Sequence, residues 1–245
     1  MATKENEIAT VSNNTAIADF SAIGEELEGL GSITFDTVKV PSGGGIMFEL
    51  PGDDPNNPEM VREIVGVIVG RQAKNGYWAS AFGQSEDAHP DCYSPDGKTG
   101  FDRATGECID CASCPRNQFK ADGSGKDCKN MQDLYILPEG EMLPIKIVIP
   151  PTSIGNLRDY LAKRVVAKRK KSYEVLTKLT LSKEKSRQNI AYSQIQFAKV
   201  RDLDADESSS VKPVIGLVKE TIARQMQEPE ADYAEVQEDL PDEFK

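Results

Sequence analysis

From Ser32 to Val40 apolar and polar residues alternate, S-I-T-F-D-T-V-K-V, which is the two-residue period of a half-buried strand, and Pro41 ends it. Gly43 to Gly45 predict a turn into a second strand, I-M-F-E-L, and Pro51 to Pro58 a surface loop. Ile64 to Val69 is an almost unbroken β-branched run and predicts a central strand buried on both faces. Leu134 to Leu137 and Leu143 to Ile149 predict two more strands joined by the turn P-E-G-E. After Pro150-Pro151 the period changes. Ile154, Leu157, Leu161 and Val165 recur at spacings of three and four, so a helix with one buried stripe is expected, capped by Ser153 and ended by Arg169-Lys-Lys. Alternation returns from Ser172 to Leu181 and from Ile190 to Val200, a hairpin around a basic loop. Residues 202–212 read as a linker, and Pro213 opens a short helix with Val214, Leu217, Val218 and Ile222 on one side. The pattern predicts a mainly β chain with one or two helices.

Between Pro90 and Asn130 neither period holds. Turn formers such as Ser94-Pro-Asp-Gly97 and Asp122-Gly-Ser-Gly125 dominate, and too little apolar surface is present to offset the entropy of ordering the segment by burial. All five cysteines of the chain lie there: Cys92, Cys108, Cys111, Cys114 and Cys128. Cys-x-x-Cys with single cysteines at loop distance is zinc-ligand spacing, in which the short pair bites from one turn and distant ligands complete a tetrahedron. Five cysteines cannot all pair, and the polar N-terminus Met1-Ala-Thr-Lys-Glu-Asn-Glu carries no secretory apolar run, so a structural zinc site in a reducing compartment is expected over disulfides. Pro115 stiffens the exit from Cys111/Cys114, which favours those two with Cys92 and Cys128; Cys108 or His89 remains able to replace one member. Four thiolates leave no open position on the metal, so the site is a staple and not an active centre.

Charge divides the chain further. Residues 1–30 carry six acids against one lysine and residues 228–245 eight against one, whereas residues 158–201 hold thirteen Lys or Arg against three acids inside a protein of net charge −11. Solubility alone does not require such segregation. No apolar stretch approaches the length of a bilayer span, and a soluble, cytoplasmic protein is expected. The single histidine, His89, sits beside Pro90 in a loop, and no tight carboxylate cluster is present, so hydrolytic catalysis is not expected. A basic helix and hairpin interleaved with aromatics suits a single-stranded nucleic acid, with cations tracking phosphates and rings stacking bases. The candidate contacts are Tyr77, Trp78, Arg158, Lys163, Arg164, Lys168, Arg169, Lys170, Lys171, Tyr173, Lys178 and Tyr192.

The ending D-L-P-D-E-F-K is similar to the acid-plus-phenylalanine tip of bacterial single-stranded DNA-binding proteins. The run P-D-C-Y-S-P-D-G, C-A-S-C-P-R-N-Q-F, G-S-G-K-D-C-K-N, then L-P-I-K-I-V-I-P-P resembles a family of phage and mobile-element proteins that bind single-stranded DNA with a zinc-containing insertion. The resemblance covers about Gly31 to Val200, and its recurrent cysteines match Cys92, Cys111, Cys114 and Cys128. It implies an OB-fold-like barrel over 31–200 with a zinc-stapled insertion at 90–130, between a flexible segment 1–30 and a linker and short helix at 201–227. A disordered acidic tail, 228–245, would recruit replication or recombination proteins through Leu240, Pro241, Asp242 and Phe244. The implied function is sequence-tolerant strand binding. The competing expectations are a zinc-dependent regulator reading duplex DNA, and a nuclease or thiol redox protein.

Overall fold

The computed structural model describes residues 33–52, 57–80, 89–121, 125–186 and 189–226. In chain order the strands are β1 (Thr37–Val38), β2 (Phe48–Leu50), β3 (Glu59–Val61), β4 (Glu63–Tyr77), β5 (Cys92–Ser94), β6 (Thr99–Asp102), β7 (Cys108–Asp110), β8 (Lys129–Pro138) and β9 (Ile145–Ile149). Helix α1 (Pro151–Tyr160) leads to β10 (Val175–Lys185) and β11 (Ala191–Asp202), followed by α2 (Ala205–Ser210) and α3 (Lys212–Gln225). The chain is mainly β, as the alternation predicts, and its strands form a large mixed sheet.

The fifteen residues of β4 hold the sheet together. One edge of β4 pairs with β8, which continues into β9 as an antiparallel meander. The other edge is shared. Glu63 to Val67 pair with β10, and Asn75 to Tyr77 pair with β5, which starts the β5-β6-β7 ribbon. The β10-β11 hairpin therefore returns to β4 after α1 has crossed from β9, and β1 adds in parallel to the far side of β9. A bulge at Val69 bends β4 between the partners on its two halves, since a bulge kinks the strand and increases its twist.

Both faces of this sheet are covered, which is why Ile64 to Val69 reads as continuously apolar. On one face Ile64, Ile68, Leu134, Ile136, Ile147, Leu179 and Ile195 pack with Phe48 and with Leu157 and Tyr160 of α1. On the opposite face Val67, Val69, Tyr135 and Leu137 pack against Val214 and Val218 of α3. Gly70 is required there, because a Cβ would lie 2.4 Å from Cγ1 of Val218.

Several sequence expectations change. Ser153 does not cap α1. Pro150 precedes the helix, and the buried Ser153 hydroxyl instead accepts the Ile195 backbone N–H at 2.9 Å, which satisfies a buried strand donor. The helix stops being α-helical at Leu161, passes through one π turn over Leu161–Val165 and a 3-10 turn over Val166–Lys168, and ends at Arg169 with φ 57°. Residues 202–212 are not a linker. Asp204 and Glu207 form a reciprocal capping box that starts α2, and Leu203 and Val211 are buried under the second core. The expected first strand is laddered only at β1. The segments 1–30 and 228–245, with Leu240, Pro241, Asp242 and Phe244, lie outside the described residues. Among the described residues no helix is long and apolar enough to cross a membrane.

Candidate metal centre and nucleic-acid interface

The cysteine segment is built from turns closed by carboxylates. Asp96 accepts the backbone N–H of Lys98 at 2.7 Å and of Thr99 at 2.8 Å, and Asp102 accepts those of Ala104 and Thr105 at 3.0 and 3.2 Å. Asp110 accepts from Ala112, Ser113 and the Ser113 hydroxyl, the last at 2.7 Å, and so folds the tight turn between Cys111 and Cys114. The Thr105 N–H and then the Arg116 side chain hold the Asp102 carboxyl below the ordinary aspartate value, and the Ser113 hydroxyl and then the Ala112 N–H do the same for Asp110. Such bonds fix local geometry without burying apolar area. They set where the thiols point.

Cys92 sits on β5 opposite Tyr77, Cys111 donates its N–H to the Lys98 carbonyl at 2.8 Å, and Cys128 donates its N–H to the Arg116 carbonyl at 2.8 Å. As a result Cys92, Cys111, Cys114 and Cys128 all line one small cavity of about 20 Å³, together with Gly100, Asn75, Tyr77 and Arg116. A Cβ on Gly100 would stand 3.2 Å from Sγ of Cys92 and 3.5 Å from Sγ of Cys111, so the two thiols crowd the same point and glycine leaves them room. Burial, and then the charges of Asp102, Cys111 and Cys114, push the Cys92 thiol up to about 11. Burial, then Cys111, Cys92 and Cys114, push Cys128 up to about 12. Both thiols thus feel Cys111 and Cys114 as neighbours, and Cys128 feels Cys92 as well. Among the described residues no three His, Cys, Asp or Glu side chains stand as a formed ligand set. Cys108 is exposed on β7, and neither it nor His89 lines the cavity.

An amide network ties this element to the sheet. Asn117 donates to the Cys111 carbonyl at 2.7 Å, Asn130 donates to Asn75 at 2.7 Å and to Asn117 at 2.9 Å, and Asn75 donates to the Gly97 carbonyl at 3.1 Å. Lys126 reaches Asn117 and Asn130 at 3.2 and 2.9 Å. The members of this network are polar and isolated in sequence, so no periodic signal announces it. Deeper in the sheet, Lys74 and Asp133 pair at 2.9 Å with each side chain only 2% exposed. Nothing in the alternation of β4 or β8 marks that pair either.

The predicted nucleic-acid contacts do not gather in one place. Tyr77 and Trp78 lie at the β5 end of β4, where Arg116 covers the Tyr77 ring at 4.4 Å and Trp78 packs against Met131. Lys178 lies toward the opposite end, paired with Glu63 at 3.4 Å. Tyr192 is half-buried on β11, across from Glu184. Arg158 and Lys163 both approach Asp159, at 3.7 and 2.6 Å. Lys171 stands over the ring of Tyr173 at 5.5 Å, and Tyr173 leans on the second core. Arg164, Lys168 and Arg169 are exposed and have no anionic partner among the described residues. With Lys170 and Lys171 they make the connector from α1 to β10 a cationic stretch of the described surface.

No protein-family model, curated protein or solved structure significantly matches this chain.

Proposed function

We propose that the chain binds single-stranded DNA without catalysing a reaction on it, through an OB-fold-like barrel stapled by a structural zinc ion. The strand order supports the barrel: a three-strand meander, a helix, and a hairpin whose first strand pairs back on the meander's first strand. That order is shared with strands one to four of a five-stranded oligonucleotide-binding barrel, although here β11 pairs only with β10 and the far edge of β9 takes β1; in such barrels the loops between strands one and two and between strands four and five flank the bound strand. In this chain the cysteine segment and the β10-β11 connection would take those places. The donor set supports the metal, because four thiols around one small cavity suit a soft tetrahedral ion and offer no oxygen site for a harder one. Cys92, Cys111, Cys114 and Cys128 would hold it, and when bound it would fix the fold of the segment.

The observation that carries the reading is the connector: Arg164, Lys168 and Arg169 are exposed and unpaired among the described residues, while Lys163, Lys178, Lys199 and Arg201 on the adjoining elements all have carboxylate partners. Unpaired surface cations in a strongly acidic protein are available to phosphates. A duplex reader is less well supported. The side-chain amide of Asn156 on the ten-residue α1 is committed to the Ile195 carbonyl and Gln196, which removes it from base recognition. Recruitment of replication or recombination proteins through the acidic tail belongs to the same proposal.

The variant R164E/K168E/R169E tests it. It should bind oligo-dT at least tenfold more weakly, and the slope of log K against log salt should fall by about 0.7 for each phosphate the variant no longer neutralises. Unchanged affinity and slope would remove the connector from the interface.

A further inference from the structure

We infer that Phe119, in the second half of the cysteine segment, is a base-stacking residue, and that the segment is thereby part of the strand-binding surface; the inference rests on the strand-binding reading above. Phe119 is 78% exposed, the most exposed of the large apolar side chains among the described residues. It closely follows the 3-10 turn Pro115–Asn117, and that turn is locked to β4 and β8 by the Asn117, Asn130 and Asn75 bonds. The Gln118 side chain donates to the Ala112 carbonyl at 2.9 Å, and the Lys120 N–H to the Gly125 carbonyl at 2.9 Å, so the chain is fastened on both sides of the ring. An exposed aromatic on such a support loses little conformational freedom when a flat partner stacks on it.

The charge beside the ring selects the partner. Lys126 stands 5.1 Å from the ring centroid, and its ammonium is held by Asn117 and Asn130, which use two of its three donors among the described residues. One face of Phe119 thus carries a fixed cation and the other is open. A nucleotide satisfies both at once, with the base on the open face and its phosphate at the ammonium. The segment is also polarised: residues 90–114 carry five acids against two cations, whereas residues 115–130 carry four cations against two acids. Phe119 lies in the cationic half. Sequence reading passes over it because one phenylalanine among polar turn residues belongs to no period.

Substitution in the full chain, read by oligo-dT affinity, tests this. F119A should weaken binding by about five- to 150-fold, the range for removal of one stacking platform. F119W should bind at least as well as wild type. F119L should behave like F119A, since Leu keeps the apolar bulk and loses the flat face. K126Q should weaken binding and lower the salt slope. Equal affinity of F119A, F119L and wild type for oligo-dT overturns the inference and leaves the strand-binding reading standing. Failure of wild type to bind oligo-dT overturns both. Thermal unfolding of each variant separates a folding defect from a missing stacking partner, and F119W supplies a folded aromatic variant in either case.

Discussion

Around β4, β8 and β10 sixteen buried side chains from Val38 to Ile195 form one apolar cluster, whereas from Asp91 to Cys128 the only buried apolar side chains among the described residues are Cys111 and Cys128. The two regions share β4, which gives its first five residues to β10 and its last three to β5. One end of the strand is held by burial and the other by turns and side-chain amides, beside the cavity that the cysteines line. If the proposed zinc ion is bound there, a chelator should act on one region and a core mutation on the other.

The largest effect is expected at the cysteines. A structural zinc ion contributes apparent folding free energy on the order of 10 kcal/mol, so a strong chelator, or C128S, should abolish metal retention and open the 89–128 segment to proteolysis. Cys108 stands outside the cavity, and C108S should keep the full metal content. Metal content by elemental analysis, with mapping of the cleavage sites, reads both. Retention of metal by C128S, or its loss in C108S, would show that the ligand set is different.

The reciprocal change is smaller and falls on the other region. Leu134 is 0% exposed in the main core, and L134A should destabilise the sheet by about 2–5 kcal/mol in denaturant unfolding while metal content per folded chain stays at the wild-type value. Loss of metal in step with stability would mean that sheet and segment fold as one unit.

How far the sequence reveals the molecule follows the same division. The periods of two and of three to four locate β4, β8, β9, α1 and the β10-β11 hairpin, because those elements are organised by burial and burial leaves a period. The four cysteines that line the cavity are the four that zinc-ligand spacing and Pro115 favour, with Cys108 or His89 left able to replace one of them. What escapes is organised by neither rule. Ser153 is misread as a cap because its acceptor role depends on β11, 42 residues away in sequence. Residues 202–212 are misread as a linker because their acids suggest solvent, when Asp204 and Glu207 are the two halves of a capping box. The candidate nucleic-acid residues mix the two kinds. Runs such as Lys168 to Lys171 are visible as charge density, while the placement of Tyr77 under Arg116 and the exposure of Phe119 depend on neighbours that only the folded chain brings together.

The most direct test is a titration of the full chain with dye-labelled oligo-dT and with a duplex of equal length, each at low and moderate salt. A strand binder with exposed cations on its connector should hold oligo-dT more tightly by a wide margin and release it steeply as salt rises. Equal or tighter binding to the duplex would contradict that function.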